Sequence, residues 1–122
     1  MMNLNNSEVF EPHHLAGMIY GKELNGEQIP ISAFSEYLGR TITAEGLIKD
    51  ILFRDIKNSH LLMVLQLEDK NGSCVKGKLI TNIQFKEELK AALQIGEPIK
   101  LSGMIFYDRF DELYMISITA IK

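Results

Sequence analysis

The sequence predicts an all-β fold: three strands, one helix and two further strands, the order of the five-stranded Greek-key barrel called the OB-fold. An N-terminal lead-in extension precedes it. Three observations carry this reading. Apolar and polar residues alternate with period two in the closing pair of segments, Ile99 to Ile121, the signature of half-buried strands. One segment, QFKEELKAAL, instead spaces Phe85, Leu89 and Leu93 four residues apart with Lys and Glu between them, which is the pattern of an amphipathic helix. Gly46 interrupts the first barrel strand near its middle, where a glycine permits a bulge or bend.

Taken in order, the first dozen residues are polar and lack a packing pattern, as chain termini often do. LAGMIYG, residues 15–21, reads as a short first strand. Asn25-Gly26 lies between apolar residues and signals a turn. Pro30 suits an extended segment or a sheet edge, and Ser32 to Leu38 reads as a helical turn with Ser32 as its cap. Residues 1–39 are therefore expected to pack beside a main domain of residues 40–122.

In that domain TITAEGLIKDILFRDI is the first strand, and KNSH turns the chain into HLLMVLQLED, a mostly apolar and hence central strand. Lys70-Asn71-Gly72 is a hairpin turn, because Asn-Gly accommodates positive φ. SCVKGKLI follows, with Cys74, Lys76 and Lys78 on one face and Val75, Gly77 and Leu79 on the other. The helix comes next and is expected to end at Gly96. The closing hairpin spans Ile99 to Ile121. Its first strand alternates Ile99, Leu101, Gly103, Ile105 and Tyr107 with Lys100, Ser102, Met104 and Phe106. Its second strand sets Tyr114, Ile116, Ile118 and Ala120 on one face.

Composition restricts the function. A chain of 122 residues, 46% hydrophobic, supports one core. No apolar run reaches the length of a membrane span, so no membrane partner is expected. The single cysteine, Cys74, rules out an internal disulfide and a cysteine-based metal cluster. The N-terminus shows no basic region followed by an apolar core, and a reducing, cytoplasmic setting is expected. His13 and His14 are adjacent and lack ligand spacing, so no metal and no cofactor are expected. Glu68 and Asp69 point to opposite faces of a strand and read as a polar strand end. No nucleophile–base pair assembles, and the module is expected not to be an enzyme.

The net charge is −3, yet the acidity is local. Residues 1–39 carry −4 and residues 40–122 carry +1. Between Asp69 and Glu87 stand Lys70, Lys76, Lys78 and Lys86 with no acidic residue. In an OB-fold the ligand lies across the second and third strands, between the first and last hairpin loops. Here that floor holds Lys76 and Lys78. Arg54, Lys57 and His60 flank one loop, and Tyr107, Arg109 and Phe110 form the other. Cations reach phosphates and aromatics stack on bases, so single-stranded DNA, or RNA, is the expected partner. A structural alternative stands beside this reading. Tyr107 and Phe110 would plug the barrel rim, Arg109 would pair with Asp108 or Asp111, and the lysines would be a solvated sheet face.

Five further segments fit together: Gly46 to Asp50, Arg54 to Lys57, Asp69, Lys100 to Gly103, and Tyr107 to Phe110. With the strands around them they resemble the OB domain of PolC, the DNA polymerase III alpha subunit typical of Gram-positive bacteria. The resemblance covers residues 18–122 and is most specific in the closing hairpin. Lys49 departs from it, standing where that family has an aromatic, and Lys70-Asn71-Gly72 replaces a longer turn. The resemblance implies a role in DNA replication, with other replication proteins or neighbouring polymerase domains as partners. No polymerase, exonuclease or phosphoesterase region lies within these residues, which fit an excised domain or a standalone relative. The acidic lead-in supports a second reading, a protein-interaction or scaffolding OB module.

Overall fold

The computed structural model describes residues 23–122. The LAGMIYG segment and the His13–His14 pair lie outside the described residues. The elements are β1 (Glu27–Gln28), a 3-10 helix over Ile31–Tyr37, β2 (Thr41–Ile56), β3 (His60–Glu68) and β4 (Cys74–Asn82). A 3-10 turn at Ile83–Phe85 then runs into α1 (Lys86–Ala92), followed by β5 (Pro98–Asp108) and β6 (Leu113–Ile121). The five strands predicted after Arg40 are thus present, with the helix between the third and fourth of them.

These five strands close into a barrel in the order β2-β3-β4-β6-β5, with β5 returning to pair with β2. Closure leaves few free strand edges. The ladders within the barrel are antiparallel except β4–β6, which runs parallel where Lys76 to Lys78 meet Met115 to Ser117. β2 serves two neighbours in succession. Thr41 to Leu47 pair with β5, and Leu47 to Ile56 pair with β3. The changeover falls at Gly46 and at a bulge between Ile48 and Asp50. A Cβ on Gly46 would lie 2.5 Å from the Glu68 carbonyl oxygen, so glycine is required for β2 to approach β3 at the bend.

Inward alternation fills the barrel. Ala44, Ile48, Leu61, Met63, Leu65, Leu67, Leu101, Ile105 and Ile116 are completely buried. The helical segment adds Phe85, Leu89 and Leu93 to the same core, each contributing about 1.5–3 kcal/mol of burial free energy as an upper estimate. α1 stops at Ala92, and Leu93 is already extended. Gly96 therefore does not cap the helix as expected. It lies in the following turn, where its N–H donates to the Ile48 carbonyl at 2.7 Å.

The described part of the lead-in joins the barrel. Ile29, Ile31 and Phe34 belong to its core cluster. Ser32 is inside the 3-10 helix, whose N-cap position is Pro30 with no side-chain cap bond. β1 pairs in parallel with the first half of β2. Beside it, Thr43 and Ser102 share a hydrogen bond of 2.8 Å. The Asn25 N–H donates to the Ser102 hydroxyl, and the Asn25 carbonyl accepts from Thr43. Ser102 points outward by alternation yet is fully buried, because this segment lies over it. Residues 25–29 thus cover the β2–β5 side of the barrel, and the 3-10 helix that follows lies beside Gln66, Lys76 and Tyr114.

Candidate nucleic-acid interface

The floor is built by alternation on β3 and β4. Leu62, Val64 and Gln66 face outward opposite Ile80, Lys78 and Lys76 respectively. Leu52 and Arg54 of β2 extend the rows beside Val64 and Leu62. Aliphatic side chains occupy the middle of this surface, with Arg54 beside Leu62 at one end and Lys76 beside Gln66 at the other. Ile80 is 58% exposed and Leu52 46% exposed, while Lys76 and Lys78 are half-buried. Phe106 borders the floor from β5, with its ring centroid 6.0 Å from the Lys78 ammonium. A depression of about 230 Å³ lies between Lys78, Ile80, Phe106 and Ser117.

One wall is the β2–β3 turn. Asn58 and Ser59 both take positive φ, 64° and 61°, a conformation that asparagine tolerates better than most residues. This tight reversal leaves Arg54, Lys57 and His60 exposed. The His60 Nδ1 lies 3.2 Å from the Lys57 carbonyl. Asp55, at the root of the turn, accepts from the Lys86 ammonium at 3.1 Å and ties this wall to α1.

The opposite wall is the β5–β6 turn. Tyr107 packs edge-on against Tyr114 at 5.3 Å between centroids, and is 46% exposed. Phe110 is 95% exposed, so it does not plug the barrel rim. Arg109 is exposed, and among the described residues it forms no ion pair. Asp108 is paired instead with Lys78. Its Oδ2 accepts from the Lys78 ammonium at 3.3 Å, and its Oδ1 accepts from the Phe110 N–H at 2.9 Å. The Phe110 N–H, the Lys78 charge and the Asp111 N–H hold the Asp108 carboxyl below its ordinary range, against the opposing effect of burial. Asp108 was missed as a site residue. An aspartate two positions before a turn amide is a readable signal. Its cationic partner is 30 residues away in sequence, and only the β4–β6–β5 adjacency brings the two together.

The remaining chemistry-bearing groups are engaged elsewhere. Glu68 pairs with Lys49 at 3.1 Å, and Asp69 accepts from the Asn71 and Ser73 N–H groups. A cavity of about 690 Å³ lies between the lead-in, the β2 bend and the β3–β4 hairpin. Its carboxylates Glu45, Glu68 and Asp69 each accept a hydrogen bond or an ion pair from within the fold, and Lys70 also lines it. Among the described residues no group of three His, Cys, Asp or Glu side chains could hold a metal ion. No helix among them is long and apolar enough to cross a membrane.

No protein-family model matches the chain, and no curated protein matches it. Solved structures do. The structure of RecG bound to a three-way DNA junction aligns over 91% of this chain and 15% of the RecG chain, at a TM-score of 0.60 and 16% identity. The second single-stranded DNA-binding protein, SSBb, of Mycobacterium smegmatis aligns over 67% of this chain and 85% of its own, at a TM-score of 0.56 and 15% identity. The chain folds as an OB barrel. A third match, OBody AM3L15 bound to hen egg-white lysozyme, covers 81% of this chain and 94% of its own, at a TM-score of 0.58 and 11% identity. At these identities the OB likeness is one of fold. The chain spans a small fraction of RecG and most of the two smaller proteins.

Proposed function

We propose that this OB barrel is a non-catalytic nucleic-acid-binding module that holds single-stranded DNA across β3 and β4. The observation that carries the reading is the pairing of a cationic floor with an aromatic held out in water. Lys76 and Arg54 are available for phosphates, and Phe110 is 95% exposed on the adjoining wall. An apolar ring costs free energy in water, and base stacking is the use that best fits its place beside a basic floor. The likeness to a single-stranded DNA-binding protein and to RecG bound to a DNA junction supports the reading. Lys57 and His60 contribute to one wall, and Tyr107 and Arg109 to the other. Sequence preference is weak, because every base offers a face to stack on.

The biological setting proposed is DNA replication, supported by the PolC-like segments from Gly46 to Phe110. The test is fluorescence anisotropy with a labelled oligo-dT at low salt. Saturable binding that weakens with salt is expected, and absence of binding at about 100 µM protein, the scale of weak nonspecific association, overturns the reading. Lys76→Glu with Arg54→Glu is expected to abolish that binding.

A second reading, a protein-interaction OB module within a polymerase assembly, is favoured by the exposed Leu52 and Ile80. The likeness to an OBody bound to lysozyme also supports it. Lys76→Glu alone discriminates the two, since Lys76 lies four residues from Ile80 along β4 and its reversal would leave a partner held by Leu52 and Ile80 in place.

A further inference from the structure

Lys76 and Lys78 look equivalent on β4, but their surroundings differ. Among the described residues Lys76 makes no ion pair, whereas Lys78 donates to Asp108 at 3.3 Å. The Asp108 side chain is only 4% exposed. A carboxylate buried to that degree must be hydrogen-bonded or paired. Asp108 meets this requirement by accepting from the Lys78 ammonium with one oxygen and from the Phe110 N–H with the other. The carboxylate thus bridges the centre of the floor and the backbone of the most exposed aromatic in the described chain. A phosphate approaching Lys78 would meet a neighbouring negative charge already neutralised by that lysine. Lys78 is consequently a poor phosphate ligand and a good tether.

We propose that Lys78 is a positioning residue, which through Asp108 fixes the β5–β6 turn so that Phe110 stands over the floor, while Lys76 makes the phosphate contact. This rests on the nucleic-acid reading above for its consequence, but not for its geometry. The tether orders the turn before ligand arrives and so lowers the entropy lost on stacking.

Two measurements test it on the full chain. The first is amide hydrogen exchange at Phe110, which needs no ligand. Lys78→Met is expected to lose protection at that amide, and Lys78→Arg to keep it. The second is the salt dependence of oligo-dT affinity. Each phosphate neutralised on a single strand contributes about 0.7 to the slope of log K against log salt. Lys76→Met is expected to lower the slope by about that amount. Lys78→Met is expected to weaken binding with the slope unchanged, and to add nothing in a Phe110→Ala background. Asp108→Asn, which keeps the side chain's shape, should reproduce the Lys78→Met binding loss. If Lys78→Met lowers the slope and leaves Phe110 protected, the positioning role is wrong and Lys78 is a phosphate contact. If wild type binds no oligonucleotide, the nucleic-acid reading fails, and the exchange arm alone decides whether the tether exists.

Discussion

Asp69 directly follows β3 and Asp108 ends β5, and each accepts a backbone N–H from the residue two positions on. Both turns also close through a residue at positive φ, Gly72 at 85° and Glu112 at 54°. There the likeness between the β3–β4 and β5–β6 hairpins stops. Asp69 uses one oxygen for two amides of its own turn, Asn71 and Ser73, so that hairpin is locally self-sufficient. Asp108 gives its second oxygen to Lys78 on another strand. One aspartate makes a turn, and the other connects a turn to the floor. Common local chemistry therefore does not imply a common task; the second partner of the carboxylate decides it.

The largest expected effect falls on the outer hairpin. Phe110→Ala should cost about 1–3 kcal/mol of oligo-dT affinity, the worth of one stacked base, while leaving the melting temperature unchanged because the ring is not packed. The matching change in the other hairpin, Asn71→Ala, should leave affinity unchanged. Equal losses in the two variants would erase the distinction. Anisotropy titrations and thermal melts of both proteins decide it.

The positive-φ residues sharpen the comparison through stability. Gly72→Ala should destabilise the fold by about 1 kcal/mol, since a side chain is strained there even in open space. Glu112→Gly should recover part of a similar strain, about 0.5 kcal/mol after the added freedom of the unfolded chain is counted. Opposite signs in chemical denaturation are the expected result.

The smallest effect is confined to acid. Folding lowers the Asp108 pKa below its ordinary value of 3.8. Its stabilising contribution is therefore fully present above that value and is lost as pH falls through the depressed folded value. The window lies below pH 3.8. Melting curves of wild type and Asp108→Asn should converge as pH drops through that window, since the variant has no carboxyl there to titrate.

Much of the fold was legible because it follows from local rules. Period-two alternation marked SCVKGKLI and the closing pair of strands, apolar content marked HLLMVLQLED, Asn71-Gly72 marked a turn, and Phe85, Leu89 and Leu93 marked the helix face. Where the reading failed, tertiary contacts replaced local preference. Ser32 could cap in isolation, but the burial of Ile31 and Phe34 starts the 3-10 helix at Ile31, with Pro30 as its cap. Gly96 suited a helix end, but its amide is used by Ile48 on β2. Ser102 falls on the strand face opposite Leu101 and Gly103, and the lead-in buries it there.

By itself the sequence determined the strands, the bend at Gly46, and the residue types that line a floor and two walls, because alternation and turn chemistry act between neighbours in the chain. Only the tertiary structure decided how those residues are used. Barrel closure sets β4 beside β6 and, through it, β5. That adjacency gives Lys78 to Asp108 rather than leaving Arg109 to take it, and it leaves Phe110 in water rather than in the rim. An ion pair between residues 30 positions apart depends on which strands are neighbours, and no local pattern encodes that.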